Sequence, residues 1–353
     1  MANTYSSTVL LAARMWQLDT MKEKYDQRRE FTNVHKPFFD GQNWIPDLEK
    51  VKASENQTQT VMYLANKDFT INTTKSCSPS GETGSSATVN LSWVKKGFAI
   101  KINKKQFQNN ELTAAKALAN NLFNAESSLW TGASGIEAAM VSYLDTNRTY
   151  INALSGGNSG TKNTWSGGPN YEVEVTNANR GQFWNYMMHD MQYNNYSGKL
   201  WDICNTWSGA DALYYSAQGP ANSTNTNFQW MSDMPSNIEV AKTNLITASG
   251  YHNSERYIVP EGGVAFLSWN NPMNKAGEKT EAGEWTVVQS MLHPDVWYDV
   301  FIKNACSDTS SDGGTTQDSV VTYEFTVNYT LTKQPISTAN ETPIYKYVIL
   351  AAT

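Results

Sequence analysis

The sequence predicts an α+β fold in which runs of strand and runs of helix follow one another along the chain. Three observations predict it. Val321, Tyr323, Phe325, Val327, Tyr329 and Leu331 alternate strictly with Thr322, Glu324, Thr326, Asn328 and Thr330, as a strand with two unlike faces requires. Leu112, Ala115, Leu118, Ala119, Leu122 and Phe123 recur at three and four residues, the spacing of one helix face. Between and before these lie segments whose glycines and prolines break every periodicity. The chain, at 353 residues, is long enough for two domains or for one elongated domain with extensions.

Residues 1–57 read as an extended arm. Helical spacing is strong there only in "DTMKEKYDQRREF", where Asp19 is a possible cap and the charges are mixed. Beyond it Pro37, Gly41 and Pro46 interrupt a stretch in which Phe38, Phe39, Trp44 and Ile45 are apolar anchors. A segment of that kind cannot fold alone, so it is expected to lie across another surface. Residues 58–104 read as a long hairpin, "VMYLANKDFTINTT" returning as "TVNLSWVKKGFAIKIN" after a tip from Lys75 to Ala87. Val89, Leu91 and Trp93 alternate, Phe98, Ile100 and Ile102 alternate, and "KKG" shifts the phase between the two runs.

Residues 105–169 hold the helix already described and a second one with Ile136, Met140, Tyr143 and Leu144 on one face. The intervening "TGASG" breaks the rod, since each of its two glycines costs a helix about 1 kcal/mol. The loop "SGGNSGTKNTWSGGPN" then marks a domain boundary. Residues 170–318 are mixed. They include the helical "ANRGQFWNYMMHDMQYNN", the strand "SNIEVAKTNLI", and "ERYIVPEGGVAFLSW", a strand interrupted from Pro260 to Gly263. Residues 319–353 supply two closing strands joined by a polar loop. Loss of the chain from Pro343 onward is therefore expected to prevent folding.

Composition excludes more than it assigns. A net charge of −6 with 17% charged residues is no basic footprint for nucleic acid, and the Asn, Ser, Thr and aromatic content suits polar contact with other protein. The first residues have no basic start, and Val9 to Ala13 is too short for a secretory core, so the chain is expected to stay in the cytoplasm. Cys77, Cys204 and Cys306 form no paired motif and read as free thiols. His35, His189, His252 and His293 sit in four separate contexts without a partner at ligand spacing, and adjacent His189 and Asp190 would point apart on a helix. Glu172 and Glu174 on one strand read as a solvated edge rather than a glycosidase pair. The glycine-rich loops lack the Lys-Ser/Thr of a phosphate loop. No catalytic, cofactor-binding or metal-binding residues emerge, which weighs against an enzyme.

The order of parts is an arm, a long hairpin, a helical rod, a mixed region and returning strands. In that order the sequence resembles the major capsid proteins of tailed bacteriophages, those with the Hong Kong 97 fold. The local points of resemblance are "VNLSWVKKGFAIKIN" leading into a helix, "YLDTNRTYIN" closing the helical region, "RYIVPEGGVAFLSW", "TYEFTVNYTL" and "PIYKYVIL". The resemblance implies an N-terminal arm over 1–57, an extended loop over 58–104 and a peripheral domain with spine helix and linker over 105–169. It further implies an axial domain over 170–318 and strands over 319–353 that return to the peripheral domain. It implies pentamers and hexamers of this chain, assembled into an icosahedral shell around double-stranded DNA without sequence-specific binding. Partners implied are scaffolding, portal and decoration proteins, with no membrane and no cofactor. Phe38, Phe39, Trp44, Trp93, Lys95 and Lys96 are the candidate contacts between subunits. The alternatives are another virion component, from tail or baseplate, and a carbohydrate-binding or glycan-cleaving protein, to which the many Trp and Tyr side chains would suit stacking.

Overall fold

The computed structural model describes residues 4–31, 33–45, 47–53, 56–65, 71, 73, 77, 81, 83, 85–103, 111–150, 172–175, 191, 198–210, 237–246, 254–269, 279–280, 283–307, 318–334 and 343–351. The N-terminal segment is mostly helical. It comprises α1 (Thr4–Thr20), α2 (Lys22–Phe31), a 3-10 turn (Asn33–His35), α3 (Lys36–Phe39), a second 3-10 turn (Asp40–Trp44) and α4 (Leu48–Lys52). Its inner side chains, Val9, Leu10, Ala13, Met21, Tyr25, Val34 and Phe38, belong to the chain's own main core. The expected extended arm is thus corrected here to a set of short helices wrapped on the body. The helix α1 escapes a periodicity reading because both its faces are apolar: Leu11, Met15 and Leu18 are exposed while Val9, Leu10 and Ala13 are buried.

Two helices follow the hairpin region, α5 (Glu111–Thr131) and α6 (Ile136–Asn147). The rod does break at "TGASG". Gly135 donates its N–H to the Gly132 carbonyl at 2.8 Å, and a β-carbon on Gly135 would stand 2.6 Å from the Leu129 carbonyl oxygen. α1 packs along α5, with Gln17 donating to the Ala119 carbonyl, and Tyr25 of α2 stands edge-on to Phe123 at 4.9 Å between centroids.

The strands build three sheets. β1 (Thr58–Ala65) and β2 (Ser85–Ser92) form a two-stranded antiparallel ribbon with eight residue pairs, from Thr58 opposite Ser92 to Ala65 opposite Ser85. β3 (Val94–Asn103) belongs to another sheet, so the chain changes sheet at Trp93 rather than at "KKG". A change of partner strand, from β1 to the strand Asp318–Lys333, therefore underlies the change of phase seen in the sequence. Gly97 answers to a different need: a β-carbon there would lie 2.3 Å from the Phe325 carbonyl oxygen across the ladder.

The remaining strands are β4 (Thr149–Tyr150), β5 (Glu172–Val175), β6 (Leu200–Asn205), β7 (Ile238–Thr243), β8 (Ser254–Pro260), β9 (Val264–Trp269), β10 (Lys279–Thr280), β11 (Gly283–Gln289), β12 (Trp297–Ser307), β13 (Asp318–Lys333) and β14 (Tyr345–Ala351). An antiparallel sheet runs β10-β11-β12-β13-β3, and β9 pairs with the far end of β13. A mixed sheet runs β4-β14-β8-β6-β7, with β5 also on β14. The two closing strands therefore part company. β13 pairs with β3, whereas β14 lies between β8 and the short parallel strands β4 and β5. The expectation that both return to one sheet is corrected accordingly. The turn from Pro260 to Gly263, with Gly262 at φ +80°, carries the chain from the mixed sheet to the antiparallel one.

Alternation explains how the layers stack. Val321, Tyr323, Phe325, Val327 and Tyr329 of β13 enter the main core with Leu118, Ala119 and Leu122 of α5 and with Tyr298, Val300 and Ile302 of β12. Trp201, Ile203, Tyr257 and Val259 of the mixed sheet enter the same core. β9 is buried on both faces: Val264 and Phe266 belong to the main core, Ala265 and Leu267 to a smaller one with Ile45, Val51, Val61, Leu91 and Trp93. Thr330 and Thr332 stand opposite Leu267 and Ala265 in register and are buried as well. At this end the Thr-bearing face of β13 is covered by the chain itself.

Candidate functional site

The chemistry-bearing part of the fold divides into a projecting ribbon and a buried polar junction. On the ribbon, Val61 and Leu91 are buried at the base, while Thr58, Thr60, Met62, Ser86, Thr88 and Asn90 are exposed. Thr60 donates its hydroxyl to the Asn90 side-chain oxygen at 2.8 Å, a polar cross-strand pair where an apolar one would have called for a covering layer. Among the described residues no third strand pairs with either outer edge. A two-stranded ribbon is marginal in isolation, and its free edges are open to pairing.

The six candidate contact residues sit in unlike settings. Phe38 and Trp93 are buried by the chain itself: Phe38 in the main core, and Trp93 stacked on Trp269 at 5.8 Å in the smaller one. Phe39 is half-buried, stacked on His293 at 4.7 Å and tilted against Phe266. The backbone of Trp44 lies in the second 3-10 turn, and its side chain is outside the described residues. Lys95 is exposed at the start of β3. Lys96 donates to the carbonyls of Ser134 and Gly135 at 3.0 and 2.7 Å, and partial burial lowers its pKa. It ties β3 to the break between α5 and α6. Four of the six thus have partners within the chain, because apolar residues in a glycine- and proline-broken segment anchor it as readily to its own body as to a neighbour.

The buried junction is what sequence separation concealed. His35 and His293 are 258 positions apart, yet His35 Nδ1 and His293 Nε2 are 2.8 Å apart. On its other side His35 Nε2 lies 3.6 Å from Glu137 Oε2, and Glu137 Oε1 accepts a hydrogen bond from the Thr243 hydroxyl. Trp130 and Phe39 flank the His293 ring. Burial drives the His35 pKa down to about 3 and raises that of Glu137, which the Thr243 hydrogen bond and the charge of Arg28 partly oppose. A second carboxylate, Glu126, stands nearby. Its Oε1 accepts from Ser290 Oγ at 2.5 Å, the Met291 N–H at 2.9 Å and the Tyr298 hydroxyl at 3.1 Å. Tyr298 in turn accepts from the Trp130 indole at 2.7 Å. These contacts weld the N-terminal segment, both helices and the turn at 290–296 into one unit. Only the presence of Glu at inward helix positions, Glu126 and Glu137, hinted at it in the sequence.

Little else offers reactivity. An open cleft of about 500 Å³ between α4 and the turn at 290–296 is lined by Phe39, Gln42, Lys52, Ser268, Asp295 and Trp297 among others, without His or Cys. Among the described residues no group of three or more His, Cys, Asp and Glu side chains is placed to hold a metal ion, and no helix is long and apolar enough to cross a membrane. Cys77 is exposed and Cys204 buried, both free, and burial pushes the Cys204 thiol up to about 12. A thiol held protonated in that way is a poor nucleophile. His189, His252 and the Cys306 side chain lie outside the described residues, as do the side chains of Glu172 and Glu174.

No protein-family model matches the chain, and no curated protein does. Among solved structures, the chain is similar to the capsid asymmetric unit of cyanophage A-1(L), with a TM-score of 0.49 at 14% identity over 88% of this chain and 92% of that one. It is similar to a chain from Mycobacterium phage Che8, with a TM-score of 0.45 at 9% identity over 86% and 89%. A chain of the capsid of an empty GTA particle gives a TM-score of 0.39 at 8% identity over 86% and 90%.

Proposed function

We propose that this chain is a structural subunit of a bacteriophage head, a major capsid protein that assembles as pentamers and hexamers into an icosahedral shell around double-stranded DNA. The observation that carries the reading is the ribbon of β1 and β2, anchored at its base by Val61, Leu91 and Trp93 and otherwise without a layer or a third strand among the described residues. Such a ribbon gains stability when a second chain pairs with its edge or covers its face. The order of segments supports the same reading, with the ribbon placed between a helical arm and a broken helical rod as in the family the sequence resembles.

On this reading α5 and α6 are the spine, and the antiparallel sheet of β3 and β13 with the ribbon is the peripheral domain. The mixed sheet of β6, β7 and β8 is the axial one. Lys95, exposed at the ribbon's root, is the first of the six candidate residues to meet a neighbour, and Phe39, half-buried beside the open cleft, is the second. Scaffolding, portal and decoration proteins are the further partners, and the assembled virion is the location. An acidic chain suits the lining of a DNA-filled shell, because a strongly basic wall would hold the phosphate backbone tightly. Expression together with the scaffolding protein of the same phage, followed by electron microscopy, tests the proposal. Closed shells are expected. Tubes or low-order rings would favour a tail or baseplate component, and monomers under every condition would sink it.

A further inference from the structure

The pair of His35 and Glu137 is unusual in being buried and incomplete. Both side chains lie in the interior, and neither His35 Nε2 nor Glu137 Oε2 has a hydrogen-bond partner, although they face each other at 3.6 Å. Two facing atoms of this kind are satisfied by one proton. With none they repel as two acceptors, and with the ring fully protonated and the acid also protonated both become donors. The other groups around them cannot supply a substitute. His293 occupies the Nδ1 side of His35, Thr243 occupies Glu137 Oε1, Trp130 and Phe39 are uncharged walls, and the charge of Arg28 acts on Glu137 by lowering its pKa.

We propose that His35 and Glu137 hold a single proton between them, and that this makes the seating of residues 33–45 on the core a pH-sensitive latch, firmest in mild acid and looser on either side. The latch joins four separate parts of the fold. His35 lies in the 3-10 turn before α3, Glu137 in the first turn of α6, His293 in the turn between β11 and β12, and Thr243 at the end of β7. Its release would therefore free the N-terminal segment from both sheets' shared core at once.

The direction of the effect follows from linkage. His35 has a folded pKa of about 3 against 6.5 for the free side chain, so its contribution is fully present above 6.5 and is lost as the pH falls from there towards 3. Glu137 has a folded pKa above 4.5, so its contribution is fully present below 4.5 and is lost as the pH rises towards its raised value. Between 4.5 and 6.5 the two slopes oppose each other. Below that window the His35 slope stands alone, and above it only Glu137 can contribute one. The folded pair carries one proton between the lowered His35 value and the raised Glu137 value, while the unfolded pair passes from two protons to none.

Hydrogen exchange of the amides from Val34 to Asp40 in the full-length chain tests this, read at each pH as a ratio to the double variant His35→Gln with Glu137→Gln, which cancels the intrinsic pH dependence of exchange. The wild-type ratio should show greatest protection near pH 5 to 6, fall roughly tenfold by about pH 3.5, since one pKa unit is a tenfold effect, and fall again as the pH rises above 6.5 until Glu137 ionises. Glu137→Gln alone supplies an amide N–H to His35 Nε2 without titrating, so it should abolish the alkaline limb and leave the acid one. Nitrogen chemical shifts of the imidazole should show the His35 ring neutral at pH 5. A flat ratio across the range, an alkaline limb that survives Glu137→Gln, or a doubly protonated His35 ring at pH 5 would each overturn the latch.

Discussion

Two neighbouring stretches, the helical segment 4–52 and the ribbon 58–92, look alike in the sequence and behave differently in the fold. Both read as segments unable to bury themselves. The first nevertheless seats Val9, Ala13, Tyr25, Val34 and Phe38 in the main core, and it brings its own polar groups to waiting partners: Gln17 to Tyr25 and the Ala119 carbonyl, and Arg14 to the Gln289 carbonyl. The second carries Thr, Ser and Asn at Thr58, Thr60, Ser86, Thr88 and Asn90, and among its described side chains Val61 and Leu91 are buried at its base with Val89 packed beside them. Burial follows whether apolar side chains recur at the period of the local backbone, not whether the chain looks extended. A helix gathers one-sided contacts every third or fourth residue, whereas a two-stranded ribbon needs a layer beneath it.

Substitutions can break this contrast or sharpen it. The largest effect is expected from Gly41→Val, because any β-carbon there would lie 1.6 Å from the Val264 carbonyl oxygen. Backbone cannot yield as a side-chain tip can, so the variant should lose at least about 3 kcal/mol, seen as insoluble expression or a much lower melting temperature. Phe38→Ala should lower the unfolding free energy by roughly 3–5 kcal/mol in urea titration. A value below about 1 would mean that the segment is not seated on the body.

Trp93→Ala should cost about 3 kcal/mol, and with a regional signature. Amides of the ribbon should lose protection against hydrogen exchange while those of α1 and α5 keep theirs. Lys96→Met leaves two carbonyls without their charged donor at a partly exposed site, for a loss of about 1 kcal/mol. At the small end, Met62→Ser on the ribbon, at 65% exposure, should stay within about 0.5 kcal/mol of the parent in the isolated chain. Yet it should reduce shell formation in the electron microscope. An unaffected yield of shells would remove Met62 from the proposed contact.

How much was legible in the sequence varies with the range of the cause. The alternation of β13, the periodicity of α5 and the break at "TGASG" are local, and each stands where its residues put it. The ribbon's strands were legible too, but not the change of sheet at Trp93, because alternation runs on through a crossing from one partner to another. The helix α1 was missed since a period cannot be read where inner and outer positions are both apolar, as Leu10 and Leu11 are. His35 and His293 were taken one at a time, and no spacing rule joins residues brought together by a turn between two late strands. Phe38 and Trp93 were read correctly as anchors, but what they anchor to depends on tertiary geometry.

The placement of β13 and β14 has a consequence for synthesis. β13 is the strand between β3 and β12, and β14 the one between β8 and the pair β4 and β5, so both larger sheets lack an interior member until residues 318–351 have left the ribosome. Val94 must wait for Tyr329, and Thr149 for Tyr345, and closing such long loops is slow. During translation the exposed edges of β3 and β8 are therefore open to the wrong partner, including another nascent copy. A chain that emerges in many copies at once would be safest with a chaperone, or with a slow stretch of message ahead of β13.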